Sequence, residues 1–221
     1  MGPGMSKTKA GALRPKGAVC ASILTLAGFV LSASPAAAHH VMGGRLPVTF
    51  IEGLLSGLGH PVIGLDHFAA VIVVGCLAAS LPRGALLTAG FVIAMMGGVT
   101  LHVAQATIPA GEALAALSVV ALGLVMLRAR PASSTAALGL FVLTGLFHGY
   151  ALGESIVGAE PAPLYAYLAG LAIIQSLIAL GAMTAVRWLS ARDAFAPIGL
   201  RLAGAAIAGF GFALFAQQLG A

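Results

Sequence analysis

Two imidazoles and a carboxylate lie within eight residues in His60-Pro61-Val62-Ile63-Gly64-Leu65-Asp66-His67. The stretch heads an apolar run, Phe68 to Leu81. Nitrogen and oxygen donors without a thiolate cluster suit a borderline divalent ion such as Ni²⁺, Co²⁺ or Zn²⁺, whereas calcium and magnesium want mainly oxygens. Ionisable groups at the edge of hydrocarbon are expensive and mark ion sites or proton relays. The same residues also fit a satisfied His/Asp pair that only pins two helices together. His60 and His67 are seven apart, two helical turns, so a continuous helix would carry them on one face with Asp66 about 100° round from His67. Pro61 suits the first turn of such a helix, where its missing N–H costs nothing.

The elements that must position these groups follow from composition. The chain has 221 residues, 60% of them hydrophobic and only 8% charged. No soluble domain of this size hides that much apolar surface, so the chain is expected to be an integral membrane protein. The net charge of +5 does not point to nucleic acid, because the basic residues stand singly between apolar runs or in the N-terminal tail. Cys20 and Cys76 both sit in apolar runs with no paired spacing, so neither a disulfide nor a zinc knuckle is indicated.

Residues 1–17 are basic and polar, Ala18 to Ser34 is a short apolar run, and Pro35-Ala36-Ala37-Ala38 follows. That order reads as a signal peptide, residues 1–38, cut after Ala38; an uncleaved first helix is the alternative. The mature N-terminus would then be His39-His40, outside the cytoplasm, where the two rings and a free amine could form an accessory metal site or remain a plain tail.

Residues 39–221 read as one all-α domain, a polytopic bundle of six transmembrane helices plus a short interfacial helix on the periplasmic side. Val48 to Leu58 is too short to span, and Gly57-Leu58-Gly59 ends it before His60-Pro61. The spans are expected at about Val62–Leu81, Ala85–Val103, Ala110–Leu127, Thr135–Leu152, Leu164–Val186 and Ile198–Leu219. Each approaches the ~20 residues that cross ~30 Å of hydrocarbon. Glu160-Pro161-Ala162-Pro163 reads as a rigid loop before the fifth.

With the mature N-terminus outside, the inner loops hold Arg83, Arg128, Arg130, Arg187, Arg192 and Arg201, and the outer segments hold only Arg45. Six against one is a positive-inside pattern, with both termini periplasmic and the chain in the bacterial inner membrane. Every histidine then falls in the outer half, as do five of the six acidic residues. His60, Asp66, His67 and His148 are the expected central donors, with Glu112 and Glu154 close by and His102, at the outer end of the second span, as an accessory. Gly145, Gly149 and Gly153 repeat every fourth residue around His148, and Gly90, Ala94 and Gly98 step towards His102 in the same way. Such stripes let helices approach closely in lipid.

His60-Pro-x-x-Gly-x-Asp-His67 followed by Gly75 resembles the signature of the HupE/UreJ family of nickel/cobalt permeases. Phe147-His148-Gly149-x-Ala151-x-Gly153-Glu154 is similar to that family's second element, and Pro109-x-x-Glu112 with Ser118-Val119 to its third span. The resemblance implies a secondary transporter, not an enzyme, that imports nickel or cobalt for hydrogenase, urease or cobalamin. It implies no permanently bound cofactor, the metal being cargo. The chain departs from many relatives at Val71, where they carry Met, and at Tyr150 and Leu152, where they carry further histidines; His102 is a position not associated with the family.

Read from the residues alone, two other classes stay open. An intramembrane zinc hydrolase would use the histidines to activate water, although the chain has no H-E-x-x-H and no Ser or Cys is expected to stand beside the clustered histidines as nucleophile. A haem-binding subunit would use His67 and His148 as axial ligands from facing helices. The expected partners are a divalent ion and the bilayer, with no nucleic acid; oligomeric state, a homo-oligomer included, is open.

Overall fold

The structure is a computed structural model that describes residues 45–128, 133–192 and 196–220. The expected signal peptide, its cleavage point, and His39 and His40 lie outside the described residues. Among those described there are helices and no strands. In chain order they are α1 (Phe50–Ile63), α2 (Leu65–Ala78), α3 (Gly84–Val103), α4 (Gly111–Leu127), α5 (Ser134–Gly153), a 3₁₀ turn at Glu154–Ile156, α6 (Pro161–Ser190) and α7 (Ala196–Gly220).

The last five helices fall within a few residues of the spans expected from the sequence. Of these, α3, α5, α6 and α7 are long and apolar enough to cross a membrane, and α4 is a shorter apolar helix. Pro161 opens α6 instead of forming a loop, its fixed φ matching the first helical turn. Outward-facing apolar side chains such as Ile93, 71% exposed, and Phe212, 65% exposed, would be a liability in water but match lipid.

The first third of the bundle departs from expectation. There is no separate interfacial helix ending at Leu58 and no continuous helix from Val62. Instead α1 begins at Thr49, whose hydroxyl accepts from Glu52 N–H at 3.2 Å while the Glu52 carboxylate accepts from Thr49 N–H at 3.2 Å. It then runs through His60 and Pro61. Pro61 sits one turn from the C-terminus rather than in a first turn, so it removes one hydrogen bond without reaching the middle of the helix. The break comes at Gly64, and α1 and α2 meet there at 79°, together forming one broken span or re-entrant pair. His60 and His67 are therefore on different helices.

Three helix pairs make the most extensive contacts, α3 with α5, α4 with α7 and α1 with α6. Glycines line all three. A Cβ on Gly145 would run into the Phe91 carbonyl, one on Gly149 into the Met95 carbonyl, and one on Gly98 into the Leu146 carbonyl. These are the stripes read from the sequence. A third, Gly53 and Gly57 on α1, lies against the Pro163 and Tyr167 carbonyls of α6. Gly123 and Gly204 bring α4 and α7 together in the same way. Lipid tails are as apolar as leucine, so close backbone packing supplies the association that hydrophobicity supplies in water. Phe91, Met95, Phe141, Leu122 and Leu171 fill the space between the pairs, all fully buried.

Gly149→Val should separate α3 from α5, because the added carbons meet backbone that has no rotamer to escape into. The expected cost exceeds the ~1–3 kcal/mol of ordinary overpacking. Gly139→Ala, facing open space, should change stability by less than about 1 kcal/mol. Thermal melts of the two variants in detergent check the contrast.

Candidate metal centre

The site forms where α1 stops and α2 starts. Gly64 N–H donates to the His60 carbonyl at 3.0 Å, and Phe68 N–H donates to the Gly64 carbonyl at 2.9 Å, so the break leaves its own backbone paired. Gly64 has φ −74° and ψ 101°, extended backbone that any residue adopts. Space is what demands glycine: a Cβ there would stand 2.7 Å from His67 Cδ2 and 3.3 Å from Asp66 Oδ1. Asp66 and His67 occupy the first turn of α2, where the helix dipole favours negative charge. His148 arrives from α5, held at its depth by Gly145 and Gly149 against α3.

His67 Nδ1 and His148 Nδ1 are 2.7 Å apart, and Asp66 Oδ2 is 3.7 Å from His67 Nδ1. One ligand atom from each of the three lies within 4.8 Å of the others. His148 is fully buried and His67 nearly so, whereas the Asp66 side chain keeps 28% exposure and forms the open side of the group. An ion bound to imidazole at about 2.1 Å holds neighbouring ligands roughly 3.0–3.4 Å apart. The two rings therefore need to part by only a few tenths of an ångström to admit one. They touch too closely to serve as axial ligands on opposite faces of a haem, for no macrocycle fits between them.

His60 stands behind this group, its ring centroid 6.3 Å from that of His67. Its Nδ1 lies 3.1 Å from Ser155 Oγ and 3.2 Å from Tyr167 OH. Both hydroxyls donate to the Leu152 carbonyl, at 2.9 and 3.0 Å. With their protons so placed, Nδ1 carries the hydrogen and donates to them, and Nε2 keeps the lone pair. This tautomer, assigned from the network, is the one a nitrogen ligand needs.

Across residues 26–214 the chain matches the family described as HupE / UreJ protein. The chain belongs to the HupE/UreJ family. Protein HupE of Rhizobium leguminosarum bv. viciae is 32% identical to it over 195 residues, 86% of this chain and 94% of that protein. No solved structure matches the chain.

Of the residues singled out in this HupE/UreJ protein, the structure gathers Asp66, His67 and His148, with His60 in the layer behind. Glu112 and Glu154 are exposed and stand outside the three-residue group. His102 is also outside it. Its Nδ1 donates to the Tyr150 carbonyl at 2.6 Å and its ring lies 4.3 Å from the Tyr150 ring. Tyr150 OH in turn accepts from Ile108 N–H at 3.2 Å. His102 and Tyr150 are thus in contact and tie the α3–α4 loop to α5. Val71 is packed fully into the core.

Tyr167 and Ser155 were not legible as site residues, since nothing in their spacing relates them to His60. Two more polar groups escaped notice. Thr144, one turn before His148 on α5, and Gln175, alone in the apolar middle of α6, are both fully buried. Thr144 Oγ1 and both amide atoms of Gln175 have no hydrogen-bond partner among the described residues. A lone glutamine inside a span is the one signal the sequence offered.

Gly64→Ala should push the His67 ring out of place and cost about 1–3 kcal/mol as a local overpacking. Gly97→Ala, with nothing within 4 Å of the added carbon, should not. Side-by-side unfolding curves check this.

Proposed function

We propose that this HupE/UreJ protein is a secondary transporter that imports divalent transition-metal ions, nickel or cobalt, for metalloenzyme or cobalamin assembly. The observation that carries the reading is the group of Asp66 with the buried His67 and His148 at the break of a bent apolar span. Two imidazoles and one carboxylate are the donor set a borderline dication prefers. A broken helix inside a membrane is tolerated where it lines a binding site. Counting the bent pair as one pass and the shorter α4 as another, α1/α2 and α3 to α7 would make six passes. The arginine pattern then puts the histidines towards the periplasm and the described C-terminus on the same side, in the cytoplasmic membrane.

In this reading Asp66, on the exposed side of the group, meets the ion first, and His67 and His148 strip its water. His60, preset by Ser155 and Tyr167, supplies the next nitrogen. Glu112 and Glu154 lie near the outer ends of their helices, where exposed carboxylates raise the local concentration of dications. An inside-negative potential drives entry with ~2.3 kcal/mol per charge per 100 mV, ~4.6 for a dication. The ion is cargo and is released; no resident cofactor and no catalysed reaction are required. Ser155 stands beside His60, but its proton is directed at the Leu152 carbonyl rather than at the imidazole.

Proteoliposomes under a valinomycin-clamped, inside-negative potential should accumulate ⁶³Ni²⁺ or cobalt without ATP. Asp66→Ala, His67→Ala and His148→Ala should each reduce entry at least about tenfold while inserting normally, because a lost ligand leaves the buried charge poorly compensated. His102→Ala should retain most of the rate. Wild-type rates in the three ligand variants would refute the assignment.

Tyr167→Phe tests the layer behind. It removes one of the two oxygens that fix the His60 tautomer, and metal affinity should fall about tenfold with little change in folding. Isothermal titration of the detergent-solubilised protein with Ni²⁺ reads the difference.

A further inference from the structure

At the end of the bundle opposite the histidines lies a cavity of about 430 Å³. Its walls come from the C-terminal ends of α2, α4 and α6 and the N-terminal parts of α5 and α7, and include Leu77, Met126 and Phe141. Arg128, Arg187 and Arg201 line the same space, each from a different part of the fold. Among the described residues no carboxylate lines it, and none of the three arginines is in an ion pair.

Positive charge at the inner ends of spans is expected in any membrane protein, but it scatters around the rim. Here the arginines are sorted. Arg83 does not line the cavity, and Arg192 is stacked 3.8 Å from the centre of the Trp188 ring. Arg187 is fixed from behind, its Nε donating to the Ala79 carbonyl at 3.1 Å, which leaves the outer N–H groups of its fork for another acceptor. Three guanidiniums around one concavity attract an acceptor-rich anion and repel a departing dication, so the space is poorly suited as an exit for metal.

We propose that this cavity holds the phosphate headgroup of an anionic phospholipid, with its glycerol and upper acyl chain against the apolar walls. Guanidinium matches phosphate geometrically, and basic pockets between helices on the cytoplasmic side are where anionic headgroups dock. A free phosphate shares the charge but has no use for Leu77, Met126 and Phe141. The inference does not depend on the transported ion.

The test uses the full-length protein, stripped of lipid by detergent exchange. Short-chain phosphatidylglycerol, short-chain phosphatidylcholine and inorganic phosphate are added separately, and the melting temperature is read. Phosphatidylglycerol alone should raise it by about 2–4 °C or more. R128Q or R201Q should lose at least about half of that rise, and R83Q should keep it. An equal rise with phosphatidylcholine would make the effect general lipid solvation, and a rise with inorganic phosphate would make the site one for a free anion; either overturns the proposal. Equal losses in R83Q and R128Q would reduce it to surface charge. Should the cavity variants fail to fold, the wild-type ranking of the three additives decides alone.

Discussion

The glycine stripe of α5 seats its backbone on that of α3, at Gly145 against Phe91 and Gly149 against Met95. That contact sets how far His148 reaches into the bundle, and with it the 2.7 Å approach to His67. The same device recurs where Gly53 and Gly57 bring α1 onto α6, which places His60 against Tyr167. In lipid, helices gain nothing by hiding apolar surface from one another, so dispersion between closely approaching backbones and the few interhelical hydrogen bonds must hold them. The polar centre is a consequence of that packing. Larger residues on these stripes would leave the same donors on helices too far apart to share an ion.

The bend at Gly64 adds what parallel helices lack. A straight span would carry His60 and His67 about 10 Å apart along its axis. Turning by 79° instead brings their rings to 6.3 Å and leaves the backbone groups on either side of the break paired. Polar atoms that stay unpaired in hydrocarbon are costly, and the described residues leave three of them on Thr144 and Gln175, both fully buried. Their cost has to be offset elsewhere, and Thr144 stands a single turn from His148 on α5. An Asp/His/His group at one end of the bundle and three converging arginines at the other make the molecule chemically lopsided along its length.

Much of this was legible in one dimension. Apolar run lengths located α3 to α7 to within a few residues, because a helix must satisfy its own backbone across hydrocarbon and so its length is dictated by the bilayer. The octapeptide around Asp66 and His67 and the element around His148 carry residue types costly to place in a membrane; they pointed to the three side chains that the structure gathers and to the family. The glycine spacing of α5 and α3 likewise announced a close seam. What the sequence misplaced was the break. Pro61 drew the start of a helix towards it, yet a proline is also tolerated one turn from a helix end, and Gly64 looked like one more small residue.

Only the tertiary structure decided which donors meet. Glu112 and Glu154 read from the sequence at the same depth as the histidines, but depth along a span says nothing about rotation around a helix axis, and both are exposed. His102 has the right depth too and is spent on Tyr150, because α3 presents it to α5 rather than to α2. Ser155 and Tyr167 join His60 across 95 and 107 residues of sequence, a distance over which no periodicity carries information. Composition and period determine that a residue lies in a span and at what height. Azimuth and neighbours are set by which backbones can approach, and that is a property of the packed bundle.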